Sequence, residues 1–195
     1  GRLRVEAPSR MVRRLLAPAL LALLDAHPAL ELELNSNDHR TALVEAGIDV
    51  RILSLKPPSE TLIHDDAAAL LDRVRHPRTG AIVAAEFLRT TLRHPLAVAG
   101  AVAHVVADSW RRPRAMLKSL AALARGFEHA RWLRRFDPDF IHAHWATYPS
   151  TVAWALGRIL GKPFGFTCHA HDIFVERQLL ARKLGEAALA VTISD

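Results

Sequence analysis

Cysteine is nearly missing from this chain: Cys168 is the only one in 195 residues. That excludes an internal disulfide and every multi-cysteine zinc or iron–sulfur motif, and it fits a reducing compartment such as a cytoplasm. Long apolar runs are lacking as well. The longest, PLAVAGAVAHVVA from Pro95, contains His104 and falls short of the ~20 residues that a membrane-spanning helix needs. Peripheral contact with a membrane stays open and a spanning helix does not. There is no signal-peptide pattern, no internal repeat, no low-complexity tract and no obvious interdomain linker. The chain opens on Gly1 and stops at Asp195 directly after the apolar run LAVTIS, so both ends read as cut.

What is present is ordinary for a folded protein. Half of the residues are hydrophobic and 24% are charged, enough to bury a real core in one domain or one and a fraction. The formal charge of +6 comes mostly from arginine. Net charge of this sign serves nucleic acid, anionic lipid or a phosphorylated substrate equally well and does not choose among them.

The opening reads strand, helix, strand. RLRVEA alternates, MVRRLLAPALLALLDAH puts Leu15, Leu16, Leu20, Leu23 and Leu24 on one helical face, and LELEL alternates again before the turn-forming NSND. A short helix over HRTALVEAG closes on Gly47, and the strand DVRILSL runs up to Pro57 and Pro58. Such repetition predicts a parallel sheet with helical crossovers, here a single sheet. From Thr61 to Phe136 the pattern is almost wholly helical. Asp65 or Asp66 caps a helix running to His76, and Pro95 and Pro113 suit first-turn positions of later helices. Arg111, Arg112, Arg114, Arg125, Arg131, Arg134 and Arg135 crowd this region as solvated helix faces or as an attraction for anionic lipid or a charged acceptor. The tail returns to α/β rhythm: strand DPDFIHAHW, helix PSTVAWALGRILG ending on Gly161, strand PFGFTC, helix VERQLLARKLGEAA and strand LAVTIS.

Two histidine pairs stand out, IHAHW at Ile141 to Trp145 and FTCHAHDIF at Phe166 to Phe174. Alternate strand residues share a face, so His142 and His144 point the same way. His142 is expected to face inward or to pack against a neighbouring loop. His169 and His171, with Asp172 adjoining, lie just beyond a strand, and ligands of open parallel sheets gather outside the carboxyl ends of strands. Three readings compete there. The groups could bind a metal, be satisfied by backbone at strand ends, or form an acceptor site in which a neutral imidazole accepts from a hydroxyl that a carboxylate orients.

The ordered set FDPDFIHAHWATYPSTVAWALGRILGKPFGFTCHAHDIF and LLARKLGEAALAVTIS resembles the N-terminal, acceptor-side domain of family 4 glycosyltransferases with the GT-B fold. The likeness extends back to ILSLKPPSETLIHDDAAALLDRV, and so over about Ile52 to Asp195. It implies a Rossmann-like parallel sheet flanked by helices, an incomplete GT-B N-terminal domain with a long helical insertion. It also implies retaining hexosyl transfer from a nucleotide sugar to a polysaccharide or glycolipid acceptor, at the inner face of the cytoplasmic membrane. The family's T-x-H-x-x-D pattern is matched by Thr167, His169 and Asp172. By this likeness His169 contacts the transferred sugar or the acceptor, Asp172 positions hydroxyls, Thr167, His144 and Trp145 line the cleft, and His171 is a bystander. The resemblance implies no metal and no cofactor, the nucleotide sugar being a substrate held mainly by a second domain, and no nucleic-acid partner. It also implies that the acceptor domain alone has no turnover.

The opening GRLRVEAPSRMVRRLLAPALLALLDAHPALELELNSNDHRTALVEAGIDVRI resembles the start of the effector-binding domain of LysR-type transcription regulators, over Gly1 to about Ile52. That implies a hybrid with its seam near GIDVRILSL, and places Ser9 and the Asn35/Ser36 region near an effector cleft. The division expected is 1–52 and 53–195. A small-molecule sensor is the alternative function on this reading, and a metal-dependent hydrolase a more distant one.

Overall fold

In the computed structural model the described residues are 2–7, 26–27, 31–36, 49–56, 68, 70–78 and 80–192. Residues 11–25 of the helix expected over 11–27, the helix ending at Gly47, Pro57, Pro58, Ser9 and the capping Asp65 and Asp66 lie outside them. The chain divides into two compact units, Gly1–Val50 and Arg51–Asp195.

In the first unit the two alternating segments form strands β1 (Arg2–Ala7) and β2 (Glu31–Ser36), paired in parallel from Arg2↔Glu31 to Ala7↔Ser36. Asn35 and Ser36, expected in a turn, continue the ladder.

The second unit begins with a short parallel pair, β3 (Ile52–Leu53) and β4 (Val74–Arg75). The helix expected to run to His76 is absent there. Leu71–Arg73 is a single 3-10 turn and Val74–Arg75 is extended. The residue before a proline is pushed out of the helical region, so Pro77 ends any helix ahead of it, and branched Val74 prefers the strand. Four helices then follow: α1 (Ala81–Arg93), α2 (Pro95–Ser109), α3 (Pro113–Glu128) and α4 (Ala130–Phe136). Pro95 and Pro113 occupy first-turn positions as expected, where no intrahelical N–H is needed.

The remainder carries the site. Strand β5 (Ile141–His144) leads to α5 (Tyr148–Leu160), β6 (Phe164–Cys168), the one-turn helix α6 (Ala170–Phe174), α7 (Leu180–Glu186) and β7 (Leu189–Thr192). The last three strands form a parallel sheet in the order β5-β6-β7. Among the described residues there are thus three separate parallel sheets, not the single sheet expected, because β2 pairs with β1 and β3 with β4. Helix α7 starts later than VERQLLARKLGEAA suggests, since Leu179 before it takes a left-handed φ of 52°.

Helix α5 is apolar almost all round and packs between sheet and helices, burying Val152, Ala153, Trp154, Ala155, Leu156 and Ile159. Phe127 on α3 and Phe166 on β6 are fully buried beside it, each worth roughly 1.5–3 kcal/mol of transfer free energy. Gly126 lets α3 approach α5: a Cβ there would lie 2.3 Å from Val152 Cγ1. Gly161 ends α5 with φ 67°, a backbone position that suits glycine.

Candidate functional site

Sheet register sorts the histidines. Pairing His142↔Gly165 and His144↔Thr167 puts both histidines and Thr167 on one face, while Ala143, Phe166 and Cys168 fall on the buried face against α5. His142 is therefore exposed, which corrects the expectation that it faces inward; of the two alternatives expected, it packs against the loop just ahead of β5. Its Nε2 shares a 3.0 Å hydrogen bond with Thr167 Oγ1, and its ring lies beside Phe140. Partial desolvation and the neighbouring His144 hold its pKa below the ordinary histidine value.

At the carboxyl ends of β5 and β6 three rings meet. The Trp145 indole stacks on the His169 imidazole, with centroids 4.0 Å apart and planes at 28°. His144 stands edge-on to both rings. Its Nε2 lies 3.2 Å from His169 Nε2, so one ring donates and the other accepts a single shared proton. Trp145 is 42% exposed and His144 is exposed, so the cluster faces solvent as an aromatic ledge with polar edges. Trp145 has φ 89°, uncommon for a bulky residue, and its N–H donates to Thr167 O at 3.1 Å.

Behind the ledge lies a buried polar layer. Asp172 is fully buried, and its Oδ2 accepts from the N–H of Ala146 (2.9 Å) and of His169 (3.1 Å), closing a capping box at the start of α6. In this arrangement the carboxylate braces the loop from inside, beneath the ledge. Its Oδ1 is buried with no hydrogen-bond partner. Lys183, on α7, is also fully buried and reaches the turn between β5 and α5. Burial pushes its pKa down to about 7, against the opposing charges of Asp108, Asp172 and Cys168. Burial first, and then Asp172, push the Cys168 thiol up, so it packs as an inert core group. Tyr148, at the start of α5, donates its hydroxyl to Glu176 Oε2 at 3.1 Å, and burial with that carboxylate raises its pKa to about 12.

Of the residues singled out from sequence, His144, Trp145 and His169 are brought together, Thr167 sits beside them bonded to His142, and Asp172 lies beneath. His171 is exposed on α6, outside the three-ring cluster. No group of three or more His, Cys, Asp or Glu side chains converges as a metal site among the described residues. Lys183 was missed, although LLARKLGEAA carries a signal for it. Leu180, Lys183 and Ala187 fall three and four residues apart on what is otherwise an apolar stripe.

Comparison with curated proteins gives no match, and comparison with solved structures gives none. The family model of Glycosyltransferase Family 4 matches residues 38–194, more than half of the chain. The match begins ahead of the expected seam, so the LVEAGIDV segment assigned above to the regulator-like opening lies inside it. Among the described residues of the second unit, the short parallel sheets and seven helices fit a Rossmann-like architecture, and with this match the chain belongs to glycosyltransferase family 4, a family whose function is sugar transfer.

Proposed function

We propose that the ledge of His144, Trp145 and His169 is an acceptor-sugar site of a retaining hexosyltransferase, which moves a hexose from a nucleotide sugar to a polysaccharide or glycolipid acceptor. One observation carries the reading: a solvent-facing indole stacked on an imidazole at the carboxyl ends of two parallel strands, where open sheets bind ligands. The indole face offers apolar contact to the C–H face of a pyranose. The His169 side chain also accepts the Asp172 N–H in the capping box, so His169 Nε2–H donates to His144 Nε2 and the remaining His144 ring N–H is left to donate to a sugar hydroxyl. Thr167 and His142 extend the polar edge along the same face. Asp172 supports the site by fixing the His169 and Ala146 N–H groups. No metal or cofactor enters this reading; the nucleotide sugar is a substrate.

Titration of the chain with methyl hexosides, followed by NMR of the Trp145 indole and His169 ring signals, tests it. The wild type is expected to show saturable shifts confined to these rings and Thr167. Trp145→Ala and His169→Ala, both at solvent-facing positions, are expected to remove them. Identical shifts in the two variants would overturn the assignment.

The exposed Trp110 with Arg111 over its ring, followed by Arg112 and Arg114, supports peripheral contact with an anionic membrane surface. No helix of the described residues is long and apolar enough to cross a membrane. Cosedimentation with phosphatidylglycerol vesicles, and not with phosphatidylcholine vesicles, is the expected outcome. For the opening segment, the parallel β1–β2 pair within its own compact unit is compatible with the regulator-like reading.

A further inference from the structure

The acceptor-site reading leaves the buried charged group nearest the ledge besides Asp172, Lys183, without a role. Lys183 Nζ meets four oxygens: the carbonyl of Ala146, the carbonyl of Thr147 (3.1 Å), Ser150 Oγ (2.8 Å) and Thr151 Oγ1 (3.3 Å). Both hydroxyls already donate to Thr147 O, each at 3.0 Å, so each turns a lone pair towards Nζ. Four acceptors and no donor suit an ammonium, which has three N–H bonds and no lone pair. Among the described residues no carboxylate lies within ion-pair distance of it.

The same turn is held from its other side. Asp172 Oδ2 takes the Ala146 N–H, and Lys183 takes the Ala146 carbonyl, so both peptide groups of Ala146 are gripped by buried charges of opposite sign. Ala146 directly follows Trp145, whose φ of 89° is a conformation that a bulky residue keeps only when its surroundings impose it.

We infer that Lys183 is the positioning residue of the ledge: together with Asp172 it fixes the turn at Ala146 and thereby holds Trp145 stacked on His169, without touching a substrate itself. Its meaning for catalysis rests on the acceptor-site reading, and a sugar acceptor is the ligand it would serve. The clamp also explains why a lysine sits on the apolar stripe of α7. An apolar residue there would leave the carbonyl of Ala146 without its buried donor, while that of Thr147 would keep Ser150 and Thr151.

The test reads the ledge with no sugar present, so its outcome is independent of whether sugar binds. In the wild-type chain, cross-peaks between the Trp145 indole and the His169 ring are expected in a nuclear Overhauser spectrum. Lys183→Met keeps length and removes every donor. It is expected to lose those cross-peaks while the amide signals of α3 stay in place, and Lys183→Gln, which keeps an N–H donor, is expected to restore them in part. A second variant, Ser150→Ala with Thr151→Val, removes two of the four acceptors at little change of volume and is expected to weaken the cross-peaks; it decides the matter if Lys183→Met fails to fold. Full-strength Trp145 to His169 cross-peaks in a folded Lys183→Met chain, or in the double variant when Lys183→Met does not fold, would overturn the clamp. The methyl hexoside titration separately decides the acceptor reading, so either can fail alone.

Discussion

Two buried polar clusters lie in the second unit, and they are built on opposite principles. At the junction of α3 and α4, Glu128 is fully buried and its carboxylate takes the Arg78 N–H (2.8 Å) and Arg78 Nε (3.0 Å), with Arg75 at 4.0 Å. Next to it the His129 ring accepts from Arg75 Nε at 3.3 Å, which leaves Nε2–H to donate to Ser54 O. Charge there meets opposite charge, and every buried side-chain polar atom of Glu128 and His129 has a partner. Under the ledge, Lys183 has only carbonyl and hydroxyl dipoles, and Asp172 Oδ1 has nothing. The first cluster ties the β3–β4 pair to the helices and is complete as a structural joint. The second departs from full satisfaction immediately behind exposed aromatic and imidazole rings, and such departures concentrate where a protein does its chemistry.

The largest effect should come from breaking the complete cluster. Glu128→Gln removes a buried carboxylate that two arginines face, and a loss of about 2–3 kcal/mol in urea unfolding is expected, discounted because Arg78 is half exposed and can regain water. Under the ledge the balance differs. Lys183→Met abolishes a desolvated charge while orphaning the Ala146 carbonyl, opposing effects of about 1–3 kcal/mol each, so the net change should stay within about 1 kcal/mol of wild type. Equal and large losses in both variants would erase the distinction between joint and clamp.

Protons separate the clusters further. His129 is held below its ordinary value of 6.5, by burial first and then by Arg75 and Arg78 against the raising influence of Ser54 O and Glu128. As pH falls below 6.5 the unfolded chain takes up that proton before the folded one, so this contribution to stability declines on the acid side. Lys183 works in the other window. Its folded pKa is about 7 against an ordinary 10.5, with Asp108, Asp172 and Cys168 as the titratable groups around it. Between those values the unfolded chain binds a proton that the folded chain lacks, so stability rises with pH across that window. Urea midpoints measured from pH 5 to 10 should lose the alkaline rise in Lys183→Met and keep the acid decline.

Much of the second unit was legible from periodicity and punctuation. Pro95 and Pro113 start helices, Gly161 ends one, and IHAHW and PFGFTC are strands because alternation and branched or aromatic residues leave little choice. The meeting of His144 with His169 follows from register, since His144 pairs with Thr167 and the chain beyond Thr167 returns to the same edge. Three features were not legible. The left-handed turn at Trp145 depends on groups far along the chain, Asp172 and Lys183, which no local pattern connects to it. The exposure of His142 depends on which face α5 covers. The inward turn of Asp172 arises because the short helix α6, unrecognised in HAHDIF, uses that carboxylate as its own capping group.

The smallest effect is expected at the far end of α7. Arg158 and Arg182 both reach Glu186, at 2.9 and 3.1 Å, and Trp154 Nε1 donates to it at 2.7 Å. Burial opposes ionisation of Glu186, but these three donors outweigh it and hold the carboxylate below its ordinary value. The network looks stronger than the clamp, being made of paired charges, yet both arginines stand in water. Exposed ion pairs of this kind contribute roughly 0.2–0.5 kcal/mol. Arg182→Ala should therefore lower stability by no more than about 0.5 kcal/mol and leave the Trp145 to His169 cross-peaks untouched, although it lies one residue from Lys183. Loss of those cross-peaks in Arg182→Ala would mean that α7 as a whole, and not the buried ammonium on it, sets the ledge.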